Sequence, residues 1–281
     1  MYYKIGTLAK RFGITTQAIR FYEKQGLLFS RFEEDSNTRR YHTRNIKWLS
    51  SIRRYHEMGF GMKEIQQLFL CEKPSELNKQ MTAHEEKLLA EIAEREKMLI
   101  AVRRQKQDIA RIDQLQRRCI IEPSPVLWLL IDQEGQHLDE SSSVSGIWEN
   151  WIHDLAYVYS AVVVDTDAIY RGSELEGRKS GYLVEEDTAL ALKLAHNNCV
   201  QRVQYDVCIH TIAPKEKIYQ DNELRYVPQF AKENGYELSG KAIGRCLCKV
   251  GEVHCQDAQV IPSAIYYEYW IPVKKCENTD N

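Results

Sequence analysis

The chain has 281 residues, with 38 Lys and Arg against 40 Asp and Glu and a formal net charge of −2, long enough for one to three domains and a sizeable core. It holds no run of eighteen apolar residues, and residues 1–13 are too polar for a secretory signal, so a cytoplasmic protein with no membrane partner is expected. The charge is uneven: the first sixty residues carry about seven more Lys and Arg than Asp and Glu, which suits a surface that meets nucleic acid and leaves the remainder acidic.

Ile5, Leu8, Ala9 and Phe12 fall at spacings of three and four, as do Ala18, Ile19 and Tyr22, so each set lines one face of a short helix. Gly13 supplies a left-handed turn to end the first helix, and Thr15 or Thr16 is placed to cap the second. Helix, glycine turn and capped helix form the helix-turn-helix pattern, whose second helix enters the major groove. On that helix Gln17, Arg20 and Lys24, with Thr16 at its start, are candidate donors to bases or phosphates. Two short helices and a glycine turn also occur in proteins that never touch DNA, so the following residues matter. Two short extended runs flank an acidic turn at 33–37 and read as a hairpin wing. Arg39 and Arg40 at its return are placed to meet the phosphate backbone.

A third helix is expected over 43–58, with Ile46, Leu49, Ile52 and Tyr55 on one face, Thr43 as its cap and Gly59 as its stop. A fourth covers 62–70 and bears Ile65, Leu68 and Phe69. From Ser75 to about Arg118 the chain has no Gly or Pro. Met81, Leu88, Ile92, Leu99, Val102 and Ile109 recur there at heptad spacing, interrupted by His84, Arg95 and Lys106. Some forty helical residues span about 60 Å.

The stretches IGTLAKRFGITTQAIRFYEKQGLL, NTRRYH and MGFGMKEIQQLF, in that order, resemble the MerR family of bacterial transcription regulators over about the first seventy residues. The resemblance implies a winged helix-turn-helix, a second wing at 59–64, and a homodimer, paired through the long helix, on double-stranded promoter DNA. It also implies action on RNA polymerase through a distorted promoter whose deformation energy a bound effector tilts. By it Arg20, Tyr22, Arg39 and Tyr41 fall on positions that hold DNA. Phe21 departs from the Tyr of many relatives and has no hydroxyl for a phosphate.

Pro123 and Pro125 open a different, aromatic-rich region. Strands are expected at 126–132, 161–170, 180–185, 200–212, 241–250 and 265–273, and helices at 144–158, 186–195 and 218–234. The order strand, helix, strand, strand thus occurs twice, at 126–185 and 200–273. That order and the ending YYEYWIPV resemble the GyrI-like effector-binding fold, and the two resemblances together indicate the multidrug-sensing branch of the MerR family. The fold class is α+β: a winged helix-turn-helix at 1–74, a coiled-coil dimerisation helix at 75–119, a GyrI-like domain of two strand-helix-strand-strand repeats at 120–275, and a tail at 276–281.

In the last strand, period two sends Tyr267, Tyr269 and Ile271 to one face and Tyr266, Glu268 and Trp270 to the other. A carboxylate among rings suits a cation, through charge and cation–π attraction, and apolar walls suit an aromatic ligand. GyrI-like relatives receive cationic drugs on a glutamate near this strand, which implies that role for Glu268. Candidate rings are Trp128, Trp148, Trp151, Tyr182, Tyr266 and Trp270.

Two alternatives remain open. Cys246 and Cys248 share a strand face two residues apart, with His254 and Cys255 close, which would suit metal or thiol sensing. Scattered cysteines in a reducing compartment are more often buried thiols, and no metal, other cofactor or catalytic residue is assigned. Some GyrI-like proteins are hydrolases, and Glu268 would then serve as a base. No GxSxG, HExxH or phosphate loop accompanies it, so the chain is read as a regulator and not an enzyme.

Overall fold

A computed structural model describes residues 1–32, 38–135, 137–173, 176–215, 223–254 and 259–276, with side chains for all of these except 252–254 and 259–263. The acidic turn at 33–37, the start of the helix expected from 218, Cys255 and the residues beyond 276 lie outside the described residues. The chain forms two compact units, 1–95 and 96–281.

In the first unit β1 (Tyr2–Lys4) leads into α1 (Ile5–Phe12), and α2 (Thr16–Lys24) follows. Gly13 between them has φ +62°, and its N–H donates back to the carbonyls of Ala9 and Lys10. The Thr15 hydroxyl accepts from Ala18 N at 3.1 Å, so Thr15 is the cap and Thr16 the first helical residue. β2 (Ser30–Phe32) and β3 (Arg39–His42) form the expected hairpin, and β1 pairs with the far edge of β3. A three-residue strand has too few positions for a periodic signal, and β1 was not expected.

α3 (Arg44–Glu57) and α4 (Met62–Leu70) complete the core with Ile19, Leu28, Leu49, Ile52 and Ile65, all buried. Thr43 does not cap α3 with its side chain; its hydroxyl donates to Met1 O at 2.9 Å and ties β1 to the helix start. α5 (Pro74–Leu115) begins in this unit, where Leu77 and Met81 pack on the core. His84 stacks on Phe60, ring centroids 3.7 Å apart, and its Nε2 donates to Met58 O at 3.0 Å. The histidine that breaks the heptad row is thus a packing residue. Leu88, Ile92, Leu99, Val102 and Ile109 of that row are 37–64% exposed in this single chain.

The second unit is built on a 10-stranded sheet. After the second half of α5 come β4 (Cys119–Glu122), β5 (Leu127–Glu134), β6 (His137–Leu138), α6 (Ser142–Trp151) with a 3-10 turn (Ile152–Asp154), β7 (Tyr159–Asp165), α7 (Thr166–Arg171), β8 (Lys179–Glu185) and α8 (Glu186–Leu192). β9 (Val200–Val203), β10 (Cys208–Lys215), α9 (Val227–Glu233), β11 (Tyr236–Leu238), β12 (Lys241–His254) and β13 (Gln259–Lys275) follow. The sheet order β10-β13-β12-β7-β8-β5 is two equivalent halves, each with its last strand between the other two, joined where β7 meets β12. The expected strand, helix, strand, strand repeat is therefore present as topology.

Several boundaries differ from expectation for local reasons. The strand expected to reach Tyr170 ends at Asp165, whose carboxylate accepts from Asp167 N and starts α7. The strand expected over 200–212 is two strands, because β9 pairs with β5 in one half and β10 with β13 in the other. α9 starts near Pro228, a residue suited to a first helical turn. β4 and β11 were not expected; both are edge additions of three or four residues.

α6 and α9 cover one face of the sheet, with Val144, Ile147 and Trp151 over β5–β8 and Val227 and Ala231 over Tyr267, Tyr269 and Ile271. Leu127, Leu129, Leu183, Tyr159 and Trp270 point to the other face. There α5 lays Ile112 and Leu115 against Ile212, Leu247 and Tyr266.

Candidate nucleic-acid interface and effector site

On α2, Thr16, Gln17, Arg20, Phe21 and Lys24 are exposed, as the helix-turn-helix reading requires. Ile19 and Tyr22 face inward. In the wing, Arg39 is exposed and its guanidinium sits 5.3 Å over the Phe32 ring; Arg40 is half-buried. Tyr22 and Tyr41, expected as DNA contacts, are core residues at 8% and 0% exposure and do not share the exposed surface of Arg20 and Arg39. The Tyr41 hydroxyl donates to Glu23 Oε2 at 3.1 Å, and burial followed by the Glu23 charge pushes its pKa up to about 12. Glu23 also accepts from the Ser30 hydroxyl and lies 3.8 Å from Arg39 Nε. One carboxylate thus holds the recognition helix against the wing. Sequence spacing gave no hint of Glu23, because its partners come from strands that pack on it only after folding.

In the second unit the expected ligand residues form two groups on opposite faces of the sheet. Trp128, Trp148, Trp151 and Tyr182 lie with α6 on the helix-covered face. Tyr266, Glu268 and Trp270 lie on the face that α5 covers. Alternation along β5 separates them, since Leu127 and Leu129 take one face and Trp128 and Leu130 the other. The seven residues therefore do not line one pocket.

Glu268 was expected as an unpaired carboxylate awaiting a cation, and this does not hold. Its Oε2 accepts from Arg245 Nε at 2.5 Å, and its Oε1 lies 2.9 Å from His210 Nε2 and 3.4 Å from Arg111 Nη1. Burial alone would raise its pKa; the His210 hydrogen bond and the Arg245 and Arg111 charges outweigh that and hold it at about 2. The cation among rings is the chain's own: the Arg245 guanidinium lies 4.7 Å from the Tyr159 ring centroid and 5.1 Å from that of Trp270. Burial opposes its charge, but Glu268, Glu185 and Asp108 push its pKa above the ordinary arginine value.

The network extends to α5. Asp108, 3% exposed, accepts from Tyr159 Oη at 2.5 Å and from Arg111 Nη2 at 2.5 Å. Arg104 reaches Glu185 at 3.0 Å and the Thr188 hydroxyl at 2.8 Å, and Gln105 donates to Leu247 O at 2.7 Å. His210 closes the other end, with Nδ1 2.5 Å from Glu122 Oε1. Asp108 and Arg111 read as surface charges of a solvated helix, and the cross-strand pairing of Arg245 with Glu268 depends on a register that no local pattern discloses.

On the helix-covered face Trp148 and Tyr182 stack, centroids 4.0 Å apart at 22°, and both are half-exposed. Trp128 Nε1 donates to Glu186 at 3.1 Å and Trp151 Nε1 to Ala195 O at 2.8 Å, so these two indoles are held in the core.

Cys246 and Cys248 were expected to face the same way. A register shift between them on β12 sends Cys246 under α9 with Tyr267 and Cys248 to the α5 side with Tyr266. Burial raises the pKa of both thiols, which disfavours the thiolate that binds metals. Among the described residues no three His, Cys, Asp or Glu side chains are grouped to hold a metal ion; Cys255 and the His254 side chain lie outside them. No helix among the described residues is long and apolar enough to cross a membrane.

Comparison with known proteins agrees with the first unit. The family model described as MerR HTH family regulatory protein matches residues 3–70. The chain is 32% identical over 96 residues to the HTH-type transcriptional regulator ZntR homolog of Haemophilus influenzae, covering 32% of this chain and 71% of that protein. It is 44% identical over 61 residues to the HTH-type transcriptional activator SoxR homolog of Chromobacterium violaceum, covering 22% of this chain and 40% of that one. Superposition on a MerR family transcriptional regulator from Bacillus cereus gives a TM-score of 0.36 at 25% identity, over 39% of this chain and 84% of that chain. The sequence similarity over the first unit places the chain in the MerR family of helix-turn-helix regulatory proteins.

Proposed function

We propose that this MerR-family chain binds double-stranded promoter DNA as a homodimer and acts on RNA polymerase by distorting the promoter. An aromatic, cationic small molecule bound in the second unit, of GyrI-like type and multidrug character, switches it to activation. The exposed row Thr16, Gln17, Arg20 and Lys24 on α2, with Arg39 in the wing, supports the DNA-binding part. The exposed apolar row of α5 supports pairing through that helix, because isolated helices do not present such a row to water without a partner. The two-half sheet supports the GyrI-like reading.

The observation that carries the switching part is α5 itself. Its first half packs in the core of the first unit, and its second half sends Arg104, Asp108 and Arg111 into the charged network around Glu268 and Arg245. A ligand that favours one arrangement of this network shifts the population of one α5 geometry. The test is transcription in vitro from a bound promoter, with and without a panel of cationic aromatic compounds, beside thermal melts of the same mixtures. A compound that raises the melting temperature and changes transcript yield supports the proposal; compounds that stabilise the protein without changing yield count against it.

A further inference from the structure

Two carboxylates of the second unit, Glu268 and Asp132, have opposite surroundings. Glu268 is fully buried and already holds Arg245, with His210 and Arg111 against it. A cationic ligand there would have to displace an arginine and leave it buried without its partner, an unfavourable exchange. Asp132 has no such partner: among the described residues no Lys, Arg or His lies within ion-pair distance of it, and the chain forms one of its few irregularities there. Ile131 pairs with Gly181 and Gln133 with Ser180, so a bulge leaves Asp132 without a partner on β8. Bulges re-aim side chains and are enriched beside functional sites.

Tyr182 pairs with Leu130, two residues before Asp132 on the same ladder, and stacks on Trp148. The Tyr182 phenol is pushed up by burial and by the Asp132 charge. Burial likewise raises the Asp132 carboxyl, and Asp139 adds to the push. Beyond the stacked pair, Ile152 and Leu155 continue from Trp148 at helical spacing and are 44% and 48% exposed.

We propose that Asp132, with the half-exposed Trp148–Tyr182 ring pair, is the subsite that receives the cationic aromatic group of the effector. The inference rests on the effector class proposed above and moves its anchoring charge from Glu268 to Asp132. A flat cation stacks on the outer face of the ring pair and neutralises a half-buried carboxylate, gaining both cation–π and charge-assisted contact. Glu268 then belongs to the coupling network rather than to the ligand.

The test uses the full chain and two probes of nearly equal shape, the permanent cation N-methylquinolinium and the neutral base quinoline, measured by calorimetry at neutral pH. Wild type is expected to prefer the cation. Asp132→Asn, which melts as wild type does, is expected to lose about tenfold or more in affinity for the cation and to bind quinoline unchanged. Trp148→Ala is expected to weaken both probes, and Trp148→Phe to restore most of that loss. If wild type prefers the cation and Asp132→Asn keeps the full preference, the site is wrong while the effector class stands. If wild type binds the two probes equally, the effector class fails and the site with it.

Discussion

Arg245 and Glu268 face each other across β12 and β13, Nε to Oε2 at 2.5 Å, with the guanidinium over the rings of Tyr159 and Trp270. This is the arrangement expected of a cationic ligand on a glutamate, filled by the chain's own side chain. Burying both charges is favourable only as a pair, because removing one leaves the other desolvated and alone.

Glu268→Gln is therefore expected to cost about 3–5 kcal/mol at neutral pH, and Arg245→Met added to it to recover part of the loss. The pH dependence has a definite sign. The Glu268 carboxyl is depressed from 4.5 to about 2 on folding, so it contributes stability that is present above the unfolded value and is lost as pH falls toward the folded one. Melting temperatures measured through that acid window are expected to fall more steeply for wild type than for Glu268→Gln. Parallel slopes would mean that Glu268 is not the ionised partner of Arg245.

In the first unit the exposed and buried candidates are expected to separate by their salt dependence. Arg20→Ala and Arg39→Ala should each weaken DNA binding and lower the salt slope by about one, as loss of a phosphate contact does. Tyr41→Phe should leave the slope unchanged and cost about 0.5–1.5 kcal/mol of stability, because its hydroxyl holds Glu23 and not DNA. A Tyr41→Phe variant with a reduced salt slope would return that residue to the interface.

The contrast between these residues shows what was legible in the sequence. The glycine turn at Gly13, the hairpin wing and the long α5 follow from local spacing and turn chemistry, and the structure has them at the expected places. The repeated order strand, helix, strand, strand also follows, since most of its elements carry their own period, but the order of the strands within the sheet does not. Burial of Tyr41 does not follow, because alternation in a four-residue strand does not say which face is covered. Nor does the pairing of Glu268 with Arg245, since the two residues are separated in the chain and meet only through register. The bulges at Asp132 and at Cys246–Cys248 are invisible to period two, which assumes an unbroken ladder.

The exposed row of α5 gives a test of pairing that does not depend on the effector. Leu88→Asp with Leu99→Asp places two charges on the proposed seam, on side chains 37% and 48% exposed in the single chain. The double variant is expected to sediment as a monomer, to keep its helix content, and to lose DNA affinity, because each monomer then holds one half-site. A variant that still sediments as a dimer would put the seam elsewhere.

Selection of bound sequences from a random duplex pool by the purified full chain bears most directly on the function proposed. The expected result is enrichment of a pseudo-palindrome whose half-sites lie on one face of the duplex, spaced by about 10–10.5 base pairs or a multiple of it, with enrichment lost in the Arg20→Ala variant. A pool that shows no enrichment, or that yields a single asymmetric site bound equally well by the Leu88→Asp, Leu99→Asp double variant, would contradict a dimeric promoter-binding regulator.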